Sequence, residues 1–183
     1  MLVKHRLELA FQPSHVQEPL TCEMTRRFKS VMFNVDDLSV GIDTASMRLS
    51  LLGKPPDVKK AKDYLRSLNV DLKTLSAYQS KAKIPKVPIR PKEAAPSGDV
   101  VQRKLWLTFL GAQKKQPFLW TISRRFNVTY KITQSTIGGN VAIMSLMLWG
   151  APEEVDAVVS YLRDQGINVE FGELGLSAPF GPE

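Results

Sequence analysis

Leu7, Leu9 and Phe11 alternate with Arg6, Glu8 and Ala10, which is the period of a strand with one covered face. The same alternation returns at Lys104–Phe109, where Leu105, Leu107 and Phe109 hold the apolar positions. The recurrence extends far beyond this strand, because residues 3–75 and 101–172 are one segment written twice. Matched pairs include Pro19/Pro117, Arg26/Arg124, Arg27/Arg125 and Phe28/Phe126. After a one-residue slip the series continues with Val31/Val128, Gly41/Gly138, Met47/Met144, Leu49/Leu146, Gly53/Gly150, Pro55/Pro152, Tyr64/Tyr161 and Arg66/Arg163. A repeat of this length describes two copies of a small domain.

Within each copy the pattern predicts strand, helix, strand, strand, helix, strand. The first strand covers 6–11 and 104–109, the first helix 18–28 and 116–126, and the second strand 31–36 and 128–133. The third strand covers 44–52 and 141–149. The second helix opens at Pro55 or Pro152 and runs to 68 or 165, and the last strand is 70–75 or 167–171. This βαββαβ order is an α+β, ferredoxin-like arrangement: four antiparallel strands in the order 4-1-3-2, both helices on one face, strand two at an edge. The expected domains are 1–75 and 101–172. They are joined by a Pro- and Lys-rich linker over 76–100 with Pro85, Pro88, Pro91 and Pro96, and followed by an irregular tail over 173–183.

The faces turned away from the helices have diverged. In copy one that face is polar, with Glu8, Asn34, Ser46, Arg48, Ser50 and Lys73. In copy two it carries Trp106, Ile143, Met147 and Trp149, an apolar patch too large to leave wet. These four are the candidate interface residues, to be covered by copy one or by a second chain.

Composition narrows the class. The only cysteine is Cys22, so neither an intrachain disulfide nor a cysteine-held metal cluster is available, and no cofactor is expected. The net charge of +7 divides as 12 Lys/Arg against 9 Asp/Glu over 1–75, 5 against 2 over 76–99, and 8 against 7 over 100–183. The charge density is highest in the linker and neither copy is strongly basic, which disfavours nucleic acid as the main partner. No apolar run suits a signal peptide or a membrane span, so a cytoplasmic protein is expected. His5 and His15 read as surface residues and Cys22, matched to Trp120, as a packing position. The arginine pairs near the helix ends complement the helix dipole or would hold an anion. The glycine-rich, arginine-bearing loop of an acylphosphatase is absent from Gln12–His15 and Leu110–Gln113, and the aromatic third strand of an RNA-recognition sheet is absent from Ser46–Leu49 and Ile143–Leu146.

Copy two, through Gln116-Pro117, Ile122-Ser123-Arg124-Arg125-Phe126-Asn127-Val128, Ala142-Ile143-Met144 and Tyr161 to Glu170, resembles the NIL domain found at the C-terminus of the ATPase subunit of bacterial methionine importers. Copy one resembles it more loosely. The resemblance implies an ACT-like regulatory domain that pairs with another copy and binds methionine at the pairing. The chain carries no Gly-x-x-x-x-Gly-Lys-Ser/Thr nucleotide loop, so what it implies here is a sensor without the ATPase. The family's namesake triplet, Asn-Ile-Leu, reads Asn34-Val35-Asp36 in copy one and Lys131-Ile132-Thr133 in copy two. Asn34, Val35, Lys131 and Ile132 are therefore the candidate ligand-binding residues. The Asn34 amide suits both charged ends of an amino acid, whereas Lys131 suits a carboxylate or phosphate. The expected function is non-catalytic binding of an amino acid or sulfur metabolite, acting through paired domains within a chain or in a homodimer. The alternatives are a module that assembles with a protein partner and, as a minor one, nucleic-acid binding.

Overall fold

The computed structural model describes residues 1–12, 20–40, 43–87 and 98–173. His15, Pro19, Gly41, the tail and linker prolines Pro88, Pro91 and Pro96 lie outside them. Copy one comprises β1 (Leu2–Phe11), α1 (Leu20–Arg27), β2 (Met32–Val40), β3 (Ala45–Gly53), α2 (Pro55–Ser67) and β4 (Asp71–Ser80). Copy two comprises β5 (Val101–Leu110), a 3-10 turn (Gly111–Lys115), α3 (Phe118–Arg125), β6 (Val128–Gly138), β7 (Val141–Gly150), α4 (Pro152–Asp164) and β8 (Asn168–Gly172). The sheets run β2-β3-β1-β4 and β6-β7-β5-β8, entirely antiparallel, so each copy has the expected order with its second strand at the edge.

The matched residues explain this economy. Leu7, Leu9, Leu49 and Leu51 are fully buried under the helices of copy one, and Leu105, Leu107, Leu146 and Leu148 under those of copy two. Pro55 and Pro152 open α2 and α4, where a missing N–H costs nothing. Glu154, in the first turn of α4, is buried and accepts the Asn127 N–H at 3.0 Å. Gly53 and Gly150 let the end of strand three press against the start of strand two. A Cβ at Gly150 would stand 3.0 Å from Val128 Cγ1 and 3.2 Å from the Asn127 carbonyl, and one at Gly53 3.2 Å from Val31 Cγ2.

Several elements depart from the expected bounds. Strands β2 and β6 run on to Val40 and Gly138 through a bulge in each: Asp36 has no partner between Val35 and Asp37, nor Thr133 between Ile132 and Gln134. Strand β4 continues to Ser80, because a register shift beside Arg6 and Leu7 lets it follow β1 back to Leu2.

The two copies meet edge to edge. Strand β2 lies beside β6 and α1 packs on α3, so that the two cores merge into one buried cluster. Trp120, on α3 and fully buried, donates its indole N–H to the Val31 carbonyl of the other copy at 3.0 Å. Tyr130, also fully buried, lies close to Cys22 of the other copy, and burial pushes its phenol well above the ordinary value. Arg26 crosses in one direction to Thr129 Oγ1 at 3.0 Å, and Arg124 crosses in the other to the Lys29 carbonyl. The second arginine of each pair is exposed and lies over a tyrosine of its own copy. Arg27 lies over Tyr64 at 4.8 Å and Arg125 over Tyr161 at 5.2 Å, and each tyrosine packs on the matched Phe28 or Phe126 at 5.6 Å. The first arginine of each pair therefore ties the copies together, and the second packs on its own copy.

His5, read as a surface residue, lies on the helix-covered side of β1, and its buried Nδ1 has no hydrogen-bond partner among the described residues. Burial first, and Lys62 second, hold the imidazole below its ordinary value of 6.5. Protons therefore favour the unfolded chain. Stability measured by urea denaturation is expected to fall as the pH drops through about 6.5, and less steeply in His5→Gln. Trp120→Ala is expected to cost about 3–5 kcal/mol in the same assay. Trp120→Phe should cost about 1–2 kcal/mol, because it keeps most of the packing but leaves the Val31 carbonyl unpaired.

Candidate functional site

A cleft opens where the edge of copy one meets the start of the helical layer of copy two. Asn34, Val35 and Asp36 of β2 form one wall. Phe109 at the end of β5, Gln113, Lys114 and Gln116 around the 3-10 turn, Phe118 and Leu119 of α3, and Ala142 and Met144 of β7 form the rest. Its empty space is about 420 Å³, counting the open mouth. Each copy supplies only part of the lining, so the cleft exists only while the copies are paired.

The bulge in β2 sets the polar wall. It interrupts the alternation after Val35 and brings Asp36 into a network with Asn34, Ser50 and Arg6. Asp36 Oδ1 accepts from Asn34 Nδ2 at 3.1 Å, and Oδ2 accepts from the buried Ser50 hydroxyl at 2.5 Å. Arg6 Nε stands 3.7 Å from Oδ2, with its side chain half exposed. Asn34 Nδ2 also reaches the Lys114 carbonyl at 3.5 Å, linking the copies across the cleft. Lys114 Nζ donates to the Gly139 carbonyl. The Gln113 amide holds the turn, accepting from the Leu110 N–H at 2.9 Å and donating to the Gln165 carbonyl at 3.2 Å. The apolar wall is centred on Phe109 and Phe118, stacked at 5.6 Å.

Of the four ligand candidates, Asn34 and Val35 line this cleft. Lys131 and Ile132 occupy the matched places on β6, opposite Met147 and Leu146, and do not line it. The copy-one counterparts of Gln113 to Gln116 are residues 15–18, which lie outside the described residues. Asp36, the third residue of the triplet, was not among the ligand candidates, yet it lines the cleft. The turn and helix that copy two contributes were not among them either.

The interface candidates stand elsewhere. Trp106, Met147 and Trp149 are half-buried on the open face of copy two, and Ile143 is 42% exposed. Trp106 lies beneath Lys104 at 5.2 Å and packs against Gly172 of β8, where a Cβ would come within 2.9 Å of the indole nitrogen. Copy one does not lie over this face, because the copies join through their edges and helices. The residues that make that join, Trp120, Tyr130, Arg26 and Arg124, were not among the candidates. The signal available for them was the arginine kept in both copies and the exchange of Cys22 for Trp120.

Among the described residues, no helix is long and apolar enough to cross a membrane.

Ser50→Ala should remove one of the two hydrogen bonds that fix Asp36. We expect a loss of about 1–2 kcal/mol in urea denaturation.

The model of the NIL domain family matches this chain twice, over residues 5–74 and 103–171. A protein named methionine import ATP-binding protein MetN from Vibrio vulnificus (strain YJ016) is 29% identical over 119 residues, covering 63% of this chain and 31% of the relative. The protein of the same name from Myxococcus xanthus (strain DK1622) is 31% identical over 84 residues, covering 44% of this chain and 26% of the relative. The chain thus spans less than a third of the length of these relatives. Among solved structures, the acetolactate synthase small subunit from Thermotoga maritima matches with a TM-score of 0.26 and 15% identity, over 93% of this chain and 98% of its own. The aspartate kinase from Synechocystis matches with a TM-score of 0.31 and 10% identity, over 91% of this chain and 28% of its own. At those scores neither structure bears on function.

Proposed function

The chain belongs to the NIL domain family, and from that premise we propose that it is a non-catalytic regulatory module that binds a small amino acid or sulfur metabolite in the cleft between its two copies. The observation that carries this reading is the composition of the cleft: the copy-one triplet Asn34-Val35-Asp36 faces the Phe109/Phe118 wall of copy two. A polar edge against an apolar pocket suits a ligand with a charged head and an apolar chain. Because both copies line the site, a bound ligand favours the paired arrangement over any arrangement in which they separate, and binding becomes a change in domain coupling. The relatives are named for methionine import, which makes methionine the first ligand to try.

A second reading rests on the open face of copy two, where Ile143 is 42% exposed beside Trp106, Met147 and Trp149. That face would serve assembly with a protein partner or a second chain. Trp106→Ser with Trp149→Ser separates the readings, since loss of assembly with an intact ligand response assigns assembly to this face alone.

The ligand reading is tested by a thermal-shift panel of amino acids and sulfur metabolites. Methionine or a close relative is expected to raise the melting temperature. Ala142→Leu, which fills the cleft from β7, should abolish that rise while leaving the circular dichroism spectrum unchanged. A panel in which no compound shifts the melting temperature, while a protein partner co-purifies, would sink this reading in favour of assembly.

A further inference from the structure

Acceptors gather around the Asn34 amide on the cleft's wall. Among the described residues Asp36 is the cleft's only carboxylate, and its Oδ1 accepts a single hydrogen bond, from Asn34. Asn34 turns its amide nitrogen to Asp36 and to the Lys114 carbonyl, which leaves its oxygen without a donor among the described residues. The Lys114 carbonyl adds a further acceptor. The Lys114 ammonium donates to the Gly139 carbonyl and the Gln113 amide nitrogen to the Gln165 carbonyl, and neither donates to Asp36. Arg6 approaches Oδ2, the oxygen already taken by Ser50, and does not occupy Oδ1.

We propose, resting on the ligand reading above, that Asp36 makes this cleft selective for an ammonium group: the ligand enters with its cationic end against Asp36 and Asn34, and carboxylates lacking an amine are rejected. An ammonium has three N–H donors, which match the Oδ1 of Asp36, the free oxygen of Asn34 and the Lys114 carbonyl. A carboxylate in the same place would bring like charges together, which disfavours it. The apolar chain then lies on Phe109, Phe118 and Met144. This selectivity belongs to the present sequence, since the third residue of the namesake triplet is leucine and here it is Asp36. Any carboxylate on the ligand is directed to the open mouth, so an amine without one is accepted as well.

Calorimetric titration of the full chain with methionine, its decarboxylated amine (methylthiopropylamine) and its deaminated acid (methylthiobutanoate) tests this on the wild-type protein. Methionine and the amine are expected to bind, with the acid weaker by at least about 10-fold, the worth of one charge-assisted hydrogen bond. Asp36→Asn and Asp36→Leu should each weaken methionine and the amine by about 10-fold or more and narrow the gap to the acid. If the acid binds the wild type as tightly as methionine, or if folded Asp36→Asn binds methionine unchanged, the assignment to Asp36 is overturned while the ligand reading stands. If none of the three compounds and no other amino acid or amine binds, the ligand reading falls and takes this inference with it.

Discussion

The join between the two copies depends on a single indole. Trp120 is completely buried at the boundary, and its N–H is committed to the Val31 carbonyl at the start of the facing edge strand. An edge strand presents backbone groups that need partners, and an unpaired buried carbonyl carries a real energetic cost. The indole removes that cost for one carbonyl while filling the space between α1 and α3. Around it, Arg26 and Arg124 reach across in opposite directions, as a two-fold relation between the copies requires. The merged core and the shared cleft both follow from this contact.

The relation is only approximate, and its departures make the site. Cys22 matches Trp120, Phe33 matches Tyr130, and Asp36 matches Thr133. A small residue matches a large one in the first pair, an apolar ring matches a phenol in the second, and a carboxylate matches a hydroxyl in the third. The exchange at the bulge matters most for chemistry. Thr133 closes on Ser145 with a hydrogen bond of 2.8 Å within its own sheet, whereas Asp36 becomes part of the wall of a cleft. The same backbone irregularity thus gives a satisfied hydroxyl in one copy and a charge at a binding surface in the other.

Carrying both copies in one chain also changes the physics of their pairing. A tether converts association into an intramolecular step with a high effective concentration, so the join need not be strong enough to assemble separate molecules. The described part of the linker takes part in the join, since the Val87 carbonyl accepts from Arg124 Nε at 3.3 Å. Arg124 therefore touches both the linker and copy one from its place at the end of α3. A ligand held between the copies adds to a pairing already favoured by the tether.

The repeat, the alternation of Leu7, Leu9 and Phe11, and the prolines opening α2 and α4 determined the element order, strand order and buried faces. Those features are local and recur twice, so chance agreement between the copies is improbable. The triplet pointed to Asn34 and Val35 for the same reason, because position within a repeat is visible in sequence. Three things were decided only by the tertiary structure. The bulge that turns Asp36 toward the cleft depends on how β2 meets β3, and a strand's alternation carries no mark of where it will slip. The open face of copy two drew attention by its tryptophans, yet the copies joined through Trp120. Its apolar character looked ordinary for a helix until a second core lay beside it. The wall of Phe109, Phe118 and Met144 lies far along the chain from Asn34, and only the packing of one copy on the other brings that distance down to a contact.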